Sequence, residues 1–420
     1  MVGVAILAAS PLILARMVLN PSFRSELAKR HRGGRSLPSL SDCLWVHASS
    51  VGEVRVAKIL IQAMKDLGET RPIALSTFTP TGYDLARKEG IDPVFRLPFD
   101  LPYWLNPVFD KLNPSIVILI EAEFWPSLLR QCQRREIPVL LVNGRMSQTS
   151  THRYKKIKPF FHWMTQGVRL FAMRSQTDAD RVLSLGVPSE KVVVTGNIKF
   201  DFPATQSPTP PGPEKVARPV TLIFGSTRPG DEGPIMEAIR RLREEDPGLN
   251  CVIAPRHLER IREVEELIRQ YGMEFERDSQ IHGGMDGKKG ATILVDRMGE
   301  LNRYYARGTV AFVGGSFHPR FGGHNILEPA AFGIPVIFGK HMDNFQEEAA
   351  LLKKSGGGIQ IDRPGDLFKT LNRLLTRPEE LRERGQSAGE TIKRHRGAVQ
   401  KIIELIKKLQ TADRKPETVK

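Results

Sequence analysis

The sequence predicts an α/β protein of two Rossmann-like domains that face a cleft, preceded by an N-terminal membrane-anchor segment. Three observations carry this prediction. Short β-rich runs alternate with helical stretches, a proline-rich stretch interrupts that alternation near the middle of the chain, and an apolar segment opens the chain. The length of 420 residues agrees with two or three domains, because a single hydrophobic core stops growing at a smaller size.

Composition excludes several classes of protein. Hydrophobic residues make up 40% of the chain and charged residues 26%, which is typical of a folded protein rather than a disordered, collagen-like or polytopic membrane chain. The formal net charge of +15 favours a polyanionic partner, whether nucleic acid, anionic lipid or a phosphorylated substrate. Three cysteines without a CxxC pair provide neither a disulfide framework nor a zinc site, and they fit a reducing compartment.

Residues 1–35 are predicted to be a hydrophobic anchor followed by a basic segment. The first fifteen residues are apolar and uncharged, and six lysines and arginines follow against a single glutamate, Glu26. Because a bilayer crossing takes about 20 apolar residues, this segment is short for a full span and suits an interfacial or tilted anchor. The basic residues after it favour a cytoplasmic body. A cleaved signal peptide and a buried N-terminal helix are the alternatives.

The first domain is predicted over residues 36–200. Its strands are the runs CLWVHA, PIALST, SIVILIEAE, IPVLLVN, RLFAM and KVVVTG, each placed before a polar turn. The helix after the first run is expected to stop at Gly68 and to bury one apolar face. That face consists of Val54, Ala57, Ile61, Met64 and Leu67.

The second domain is predicted over residues 220–395, where the alternation restarts with VTLIFGS, CVIAP, TILVD, TVAFVGG and IPVIFG. Residues 201–219 contain six prolines and are predicted to be the linker. Residues 396–420 are predicted to form a final helix and a polar tail. Ligands are expected at the carboxyl ends of the two sets of strands, across the cleft.

The motif HASSVGE, residues 47–53, supplies a candidate site in the first domain. Ser49, Ser50 and Gly52 are expected to form a tight turn with hydroxyl and amide donors, and Glu53 opens the following helix. A carboxylate in this place can accept a proton from a substrate hydroxyl. The alternative is a stabilising role, since an acidic side chain in a first helical turn complements the helix dipole.

Two further motifs of the first domain carry charged candidates. In ILIEAEFWP, Glu121 and Glu123 follow a strand, and their carboxylates are expected on one side of an extended chain. The apolar residues that follow disfavour a solvated strand end, so a functional role is predicted, with Glu123 preferred. In VTGNIKFD, Lys199 can offset charge on a departing phosphate, and a solvated surface lysine is the alternative.

Three strand ends of the second domain carry residues suited to an anionic ligand. The first runs into a helix whose opening amides can bind an anion, and the second carries an arginine that can hold phosphate with a forked guanidinium. The third begins another helix. The candidates are Ser226 and Thr227, Pro255 and Arg256, and Met298, Gly299 and Glu300.

Residues 312–339 form the strongest single signal. Glycines allow close backbone approach, and a helix predicted to begin near His324 and Asn325 directs its positive end at the glycine loop. This pattern predicts a phosphate cradle, and Glu328 can accept hydrogen bonds from a ribose diol. A glycine-rich turn with a helix-stabilising glutamate is the alternative. The glycines are Gly314, Gly315, Gly322 and Gly323.

No metal site is predicted. Asp178 and Asp180 have the DxD spacing by which some sugar transferases hold a metal, but the segment from Thr177 fits a helix cap with acidic first-turn residues better. Three loop histidines have no carboxylate or cysteine that would complete a ligand set. They are His318, His324 and His341.

Six motifs occur in order over residues 45–350: HASSVGE, EAEFWP, GNIKFD, APRHLER, MGELNRYY and FVGGSFHPRFGGHNILEPAAFGIPVIFG. In this combination the chain resembles the Kdo transferases, which add 3-deoxy-D-manno-octulosonic acid (Kdo) to the lipid A precursor of Gram-negative lipopolysaccharide. The resemblance implies a glycosyltransferase-B fold and an inverting transfer from a CMP-activated sugar, without cofactor or metal. The N-terminal segment is similar to that family's membrane anchor, which implies the cytoplasmic face of the inner membrane.

The resemblance also implies roles for individual residues. Glu53 would be the general base, and Glu123 and Lys199 would assist the transition state. The acceptor-side residues would be Ser49, Ser50 and Gly52. The CMP-binding residues would be Ser226, Thr227, Pro255, Arg256, Met298, Gly299, Glu300, Gly314, Gly315, Asn325, Ile326, Leu327 and Glu328.

The expected partners are CMP-Kdo as donor, the lipid A precursor lipid IVA as acceptor, and the anionic inner-membrane surface. Two departures from the family pattern are Ser49, where alanine is frequent, and Phe321, which lengthens a loop usually written PRGGHN. A UDP-sugar-dependent transferase or epimerase of the same fold is the alternative enzyme. A nucleic-acid-binding protein is the alternative of another class, and the aromatic content of 7% with dispersed charge argues against it.

Overall fold

The computed structural model describes Arg30 and residues 36–201, 220–281 and 289–413, with side chains up to residue 410. These residues form two compact units: unit 1 holds those up to residue 201 and from residue 396 onward, and unit 2 holds those between. The predicted anchor, Arg30 excepted, and nearly all of the predicted linker lie outside the described residues. Within the described ranges, no helix combines the length and the apolarity that a membrane crossing requires.

Unit 1 is a parallel sheet covered by helices. Its strands are β1 Cys43–His47, β2 Ile73–Thr77, β3 Val94–Arg96, β4 Pro114–Ile120, β5 Val139–Gly144, β6 Val168–Met173 and β7 Val192–Val194. They pair in parallel in the order β3-β2-β1-β4-β5-β6-β7. The helices between them are α1 Val51–Asp66, α2 Pro80–Lys88, α3 Pro102–Leu112, α4 Pro126–Arg134, α5 Gln148–Lys156, α6 Lys158–Thr165 and α7 Gln176–Ser184.

The central strands of unit 1 are buried on both faces, as their continuous apolar runs require. On one face Trp45 packs against Phe95 and Phe109, with ring centroids 5.8 and 5.1 Å away. On the other face lie the apolar residues of α1. Since β1 and β4 are parallel neighbours, with His47 opposite Leu119, the segments that follow them leave the sheet side by side.

Unit 2 repeats this architecture. Its strands are β8 Thr221–Thr227, β9 Asn250–Pro255, β10 Glu276–Arg277, β11 Thr292–Leu294, β12 Val310–Val313, β13 Val336–Gly339 and β14 Gly358–Ile361, and its helices are α8 Glu232–Glu245, α9 Ile261–Gln270, α10 Leu301–Tyr305, α11 Leu327–Ala331, α12 Gln346–Ser355, α13 Asp366–Leu375 and α14 Pro378–His395. All pairings are again parallel, in the order β10-β11-β9-β8-β12-β13-β14.

The last helix, α15 (Ala398–Asp413), belongs to unit 1 although it follows unit 2 in the chain. Its N-terminus is held by Asp201, whose two carboxylate oxygens accept hydrogen bonds from the backbone N–H groups of Gly397 and Val399, each at 2.6 Å. Apolar side chains of α15, among them Ile402 and Ile406, are buried in the same core as those of α1. The helix therefore completes one face of the unit 1 sheet.

The structure contains all the strands that the sequence predicts and adds three short ones, β3, β10 and β14. Four of the five residues assigned to the apolar face of α1 are buried. Leu67 was assigned wrongly, because α1 ends at Asp66 and the Leu67 side chain is 47% exposed at the C-cap. Gly68 then takes a φ of +85°, which ends the helix as expected.

Candidate active site

The Glu53 carboxylate lies in a capping arrangement at the start of α1. Ser50 is the N-cap, and its hydroxyl accepts a hydrogen bond from the backbone N–H of Glu53 at 3.4 Å. The carboxylate accepts hydrogen bonds from Ser50 Oγ and from the backbone N–H of Ser49, each at 2.8 Å. The stabilising role considered for Glu53 is therefore present. A carboxylate has about four acceptor positions, so the cap leaves room for a substrate hydroxyl.

Burial changes the acidity of Glu53. The residue is 9% exposed, and removal from water is the main cause that raises the pKa of its carboxyl from 4.5 to about 8. The negative charge of Glu123 raises this pKa further, while the hydrogen bonds from Ser50 and Ser49 oppose the change. A carboxyl group that titrates near neutral pH is suited to general acid–base catalysis.

The pKa of the Glu123 carboxyl is shifted in the opposite direction to that of Glu53. Burial alone would raise the pKa of its carboxyl, but His47, Ser49 and Trp125 together lower it below the ordinary value. All three approach the same oxygen, Oε2: Ser49 Oγ donates at 2.6 Å, Trp125 Nε1 donates at 2.9 Å, and His47 Nε2 lies at 3.6 Å. No residue that the structure describes donates to the other oxygen, Oε1. Glu123 is thus an ionised, oriented carboxylate with one open oxygen.

The sequence reasoning missed His47 and Trp125, although both lie inside motifs that it singled out. His47 is fully buried, with Nδ1 2.8 Å from Ser76 Oγ and Nε2 3.2 Å from Ser49 Oγ. Its ring meets that of Trp125 edge-on, with centroids 5.8 Å apart. These contacts depend on the adjacency of β1 and β4, which no local pattern displays. The sequence did contain one signal for His47, because this histidine lies in the same motif as the candidate base Glu53.

Two other predicted residues, Glu121 and Lys199, lie in turns of unit 1. The expectation that Glu121 and Glu123 project together from an extended chain is wrong, because β4 ends at Ile120 and Glu121 has a φ of +63° in a turn. The Glu121 charge is only a minor cause of the raised pKa of Glu53. Lys199 lies in a single-turn 3-10 helix, Ile198–Phe200, that packs on α1.

A pocket in unit 2 joins three of the predicted strand ends. It encloses about 360 Å³, a volume that includes the open solvent at its mouth. Five predicted residues line it: Ser226, Pro255, Arg256, Met298 and Gly299. Four lining residues were not predicted: Ala254, Val295, Arg297 and Leu301.

Two predicted residues next to this pocket, Thr227 and Glu300, interact with other side chains of the protein. Thr227 is fully buried, and its hydroxyl donates a hydrogen bond to Glu232 at 2.8 Å. Glu300 forms an ion pair with Arg303 at 3.1 Å. Neither residue lines the pocket.

The glycine loop differs from the predicted cradle of open amides. The N–H of Gly314 donates to the carbonyl oxygen of Gly225 at 2.8 Å, and the N–H of Gly315 donates to Asp231 Oδ2 at 2.7 Å. A Cβ on Gly314 would lie 2.6 Å from Asp231 Oδ2 and 2.7 Å from the carbonyl oxygen of Ser226. Close approach of backbone segments therefore explains Gly314, and its amide is not available to a phosphate here.

The helix after the glycine loop is shorter and later than predicted. It is α11, five residues long, and begins at Leu327 rather than near Asn325. Asn325 accepts a hydrogen bond from the Leu327 N–H at 3.1 Å and donates one to Glu328 Oε1 at 2.9 Å. Ile326 and Leu327 are fully buried. Of the four predicted residues 325–328, only Asn325 and Glu328 have side chains that are partly exposed and can contact a ligand.

The metal-site alternatives gain no support from the described residues, among which no cluster of histidine, cysteine and carboxylate side chains has the arrangement of a metal site. The N-cap of α7 is Ser175, whose hydroxyl accepts from the backbone N–H of Asp178 at 3.1 Å. Asp178 is buried and accepts hydrogen bonds from the Met146 N–H and from Arg174. The segment is therefore the first turn of a capped helix, as interpreted, but the cap is Ser175 and Thr177 lies inside the helix.

Comparison with known proteins identifies the family. Residues 23–202 match the family model described as 3-deoxy-D-manno-octulosonic-acid transferase (kdotransferase). The chain is 35% identical over 416 residues to the 3-deoxy-D-manno-octulosonic acid transferase of Haemophilus influenzae, covering 96% of each sequence. It is 30% identical over 393 residues to that of Chlamydia pneumoniae, covering 90% of this chain and 88% of the relative.

The fold is also found in a solved structure. The crystal structure of MurG from Acinetobacter baumannii matches with a TM-score of 0.56 at 13% identity, over 88% of this chain and 99% of that chain. At this identity the likeness concerns the fold alone: two parallel-sheet α/β units, as in glycosyltransferases of the B type. The sequence relatives show that the chain belongs to the 3-deoxy-D-manno-octulosonic acid transferase family of glycosyltransferases.

Proposed function

We propose that the chain transfers Kdo from CMP-Kdo to a hydroxyl of the lipid A precursor lipid IVA, with inversion at the anomeric carbon and with Glu53 as general base. The observation that carries the proposal is the linkage of two carboxylates through one residue. The backbone N–H of Ser49 donates to Glu53, and its hydroxyl donates to Glu123. Membership of the Kdo transferase family supports the sugar and the reaction class.

The two carboxylates suit different parts of this reaction. The attacking hydroxyl loses its proton as it bonds to the anomeric carbon, and Glu53 can accept that proton because burial makes it a stronger base than an ordinary carboxylate. The donor carbon gains positive charge as its bond to the phosphate breaks. Glu123, which is held ionised, can stabilise that charge.

The leaving group is a phosphate, and protein cations can stabilise it. Arg256 lines the pocket of unit 2, where we propose that CMP binds. Lys199 is proposed to assist from the turn beside α1. Because these cations can balance the charge of the departing phosphate, the proposed reaction uses neither metal nor cofactor.

We further propose that the chain works at the cytoplasmic face of the inner membrane. The apolar and basic composition of residues 1–35 supports this location. So does the surface of α5 and α6, where Ile157 and Trp163 are 47% and 44% exposed among exposed lysines. Tryptophan beside lysine is typical of contact with a bilayer surface that carries anionic lipid.

Arg30 is an exception within the basic segment that was expected to face lipid. It is 5% exposed, and its guanidinium donates to the carbonyl oxygens of Leu97 at 3.0 Å and Phe78 at 2.7 Å. The group also lies over the Phe78 ring, 4.0 Å from its centroid. The Arg30 side chain is therefore bound to unit 1 and is not available to contact lipid.

Replacement of the proposed base is the direct test. Glu53→Gln keeps the shape of the side chain and removes its basicity, so kcat should fall by roughly 10²–10⁴-fold while CMP affinity stays unchanged. Glu121→Gln, which changes a neighbouring carboxyl that is not assigned a role, is the matched control. Turnover is followed by mass spectrometry of the lipid product made from CMP-Kdo and tetra-acylated acceptor. Full activity of the Glu53→Gln enzyme would remove Glu53 from the base role.

Nucleotide choice tests the donor independently. CMP should raise the melting temperature of the wild-type protein, and UDP should not. The reverse pattern would favour the alternative of a UDP-sugar enzyme, which shares the fold. The same mass spectra also count the sugars added to each acceptor.

A further inference from the structure

Arg228, which follows β8, is held by two imidazole rings. Its Nε donates a hydrogen bond to His324 Nε2 at 3.1 Å, and its Nη1 is bonded to His257 Nε2. A guanidinium has five N–H donors, and these two contacts use two of them. The remaining donors, including both of Nη2, meet no acceptor among the residues that the structure describes.

The position of Arg228 is also fixed from its backbone and from one face of the guanidinium. Its backbone N–H donates to Asp231 Oδ2 at 2.8 Å, the same oxygen that accepts from the Gly315 N–H. The ring of Phe321 lies against the guanidinium, with the centroid 5.1 Å from Cζ. An arginine held in this way needs little further ordering when it binds a ligand.

The surroundings of Arg228 carry an excess of positive charge. Burial is the main cause that lowers the pKa of its guanidinium, and the nearby charges of Arg256, Arg260 and Arg320 lower it further, while the charge of Asp231 opposes the change. Arg260 is neutralised by Glu232 and Glu263, each at 2.7 Å. In the described part of the chain, by contrast, no carboxylate forms an ion pair with the side chain of Arg228, Arg256 or Arg320.

This cluster borders the pocket of unit 2. Arg256 lines the pocket, and its backbone N–H donates to the carbonyl oxygen of Thr227 at 3.0 Å, directly before Arg228. Ser226, two residues before Arg228, also lines the pocket and takes a φ of +56° within β8, where the pairing with β9 is irregular between Gly225 and Thr227. A ligand in the pocket therefore contacts Arg256 and lies near Arg228, and neither side chain forms an ion pair with a carboxylate of the described residues. The Arg320 guanidinium lies over the same Phe321 ring as that of Arg228.

We infer that Arg228, together with Arg256 and Arg320, forms an oxyanion subsite at the edge of this pocket, which binds the phosphate or the sugar carboxylate of the donor. The inference rests on the proposed function and extends it, since it assigns a substrate contact to Arg228. Both groups are oxyanions and suit a forked guanidinium with open donors. His257, His324 and Phe321 position the guanidinium.

Titration calorimetry with three probes tests the subsite: cytidine, CMP and inorganic phosphate. Arg228→Gln should leave cytidine binding unchanged. If Arg228 binds the phosphate, the affinity for CMP and for inorganic phosphate should fall about ten- to hundredfold. If it binds the carboxylate, CMP affinity should stay the same and KM for CMP-Kdo should rise by a similar factor. Unchanged CMP affinity together with unchanged KM would overturn the subsite.

Controls separate this inference from the proposed function. Arg262→Gln changes an exposed arginine on α9 and should alter none of these values. If wild-type protein binds phosphate through Arg228 but does not bind CMP, the proposed donor is wrong and the subsite stands. If Arg228→Gln does not fold, Arg228→Lys replaces it, because lysine keeps the charge and loses the fork. Wild-type affinity and KM in that variant, combined with wild-type values in Phe321→Leu, would overturn the subsite.

Discussion

Ser49 is the residue on which the candidate site of unit 1 depends most directly. Its backbone N–H donates to the Glu53 carboxylate, and its hydroxyl donates to the Glu123 carboxylate. The same hydroxyl lies 3.2 Å from His47 Nε2. The sequence indicated Glu53 and Glu123 as candidates because each follows a predicted strand of the parallel sheet in the first domain. It did not indicate that one of them is protonated near neutral pH and the other ionised, since that difference arises from burial and from contacts across β1 and β4.

The pH dependence of turnover should reflect this pair. Only deprotonated Glu53 can accept a proton, so kcat/KM of the wild-type enzyme should rise with pH and level off above about pH 8. Glu123→Gln removes a charge that raises the pKa of Glu53, and the rising limb should move to lower pH. Glu121→Gln should move it less, because Glu121 is a minor cause. A limb that stays in place in the Glu123→Gln enzyme would contradict the electrostatic coupling of the pair.

At the scale of elements, apolar runs of four to seven residues predicted the central strands well. The three missed strands are short and lie at sheet edges: β3 and β10 end in arginine, and the two middle residues of β14 are only half-buried. The helix at the glycine loop was placed too early, since Asn325 uses its side chain to cap the Leu327 N–H and so begins the helix later. Such a bond is local, but an asparagine side chain can either make it or leave the backbone helical, and the sequence alone does not decide between the two.

The cap of α15 provides a test at this scale. Asp201→Ala removes the acceptor of two backbone N–H groups, and the free energy of unfolding of unit 1 should fall by about 1 kcal/mol. Asp201→Asn, which keeps one acceptor oxygen, should lose less. Urea denaturation followed by tryptophan fluorescence measures the change, because all four tryptophans belong to unit 1. Equal stability of the Ala variant and the wild type would show that the cap contributes nothing.

At the scale of the whole molecule, the sequence predicted two α/β domains and a break near residue 201, and the described residues form two such units. It did not assign the last helix to the first unit, because an amphipathic helix carries no mark of the sheet on which it packs. The positions of Ile402 and Ile406 in the core beside α1 are visible only in the structure.

Removal of that helix should affect unit 1 selectively. Deletion of residues 396–420 exposes the apolar surface that α15 covers, so unit 1 should become sensitive to protease while unit 2 remains resistant. Deletion of residues 414–420 alone, which leaves α15 intact, is the control. Limited proteolysis with mass spectrometry of the fragments distinguishes the two outcomes, and a resistant unit 1 in the longer deletion would contradict the assignment.

The place of α15 also sets an order for biosynthesis. A ribosome makes the whole of unit 2 before it makes Ala398, so the nascent first unit waits without its closing helix for the time needed to translate about two hundred codons. Its apolar surface can be covered only after residues 398–413 have left the exit tunnel. The half of the enzyme that is begun first is consequently finished last.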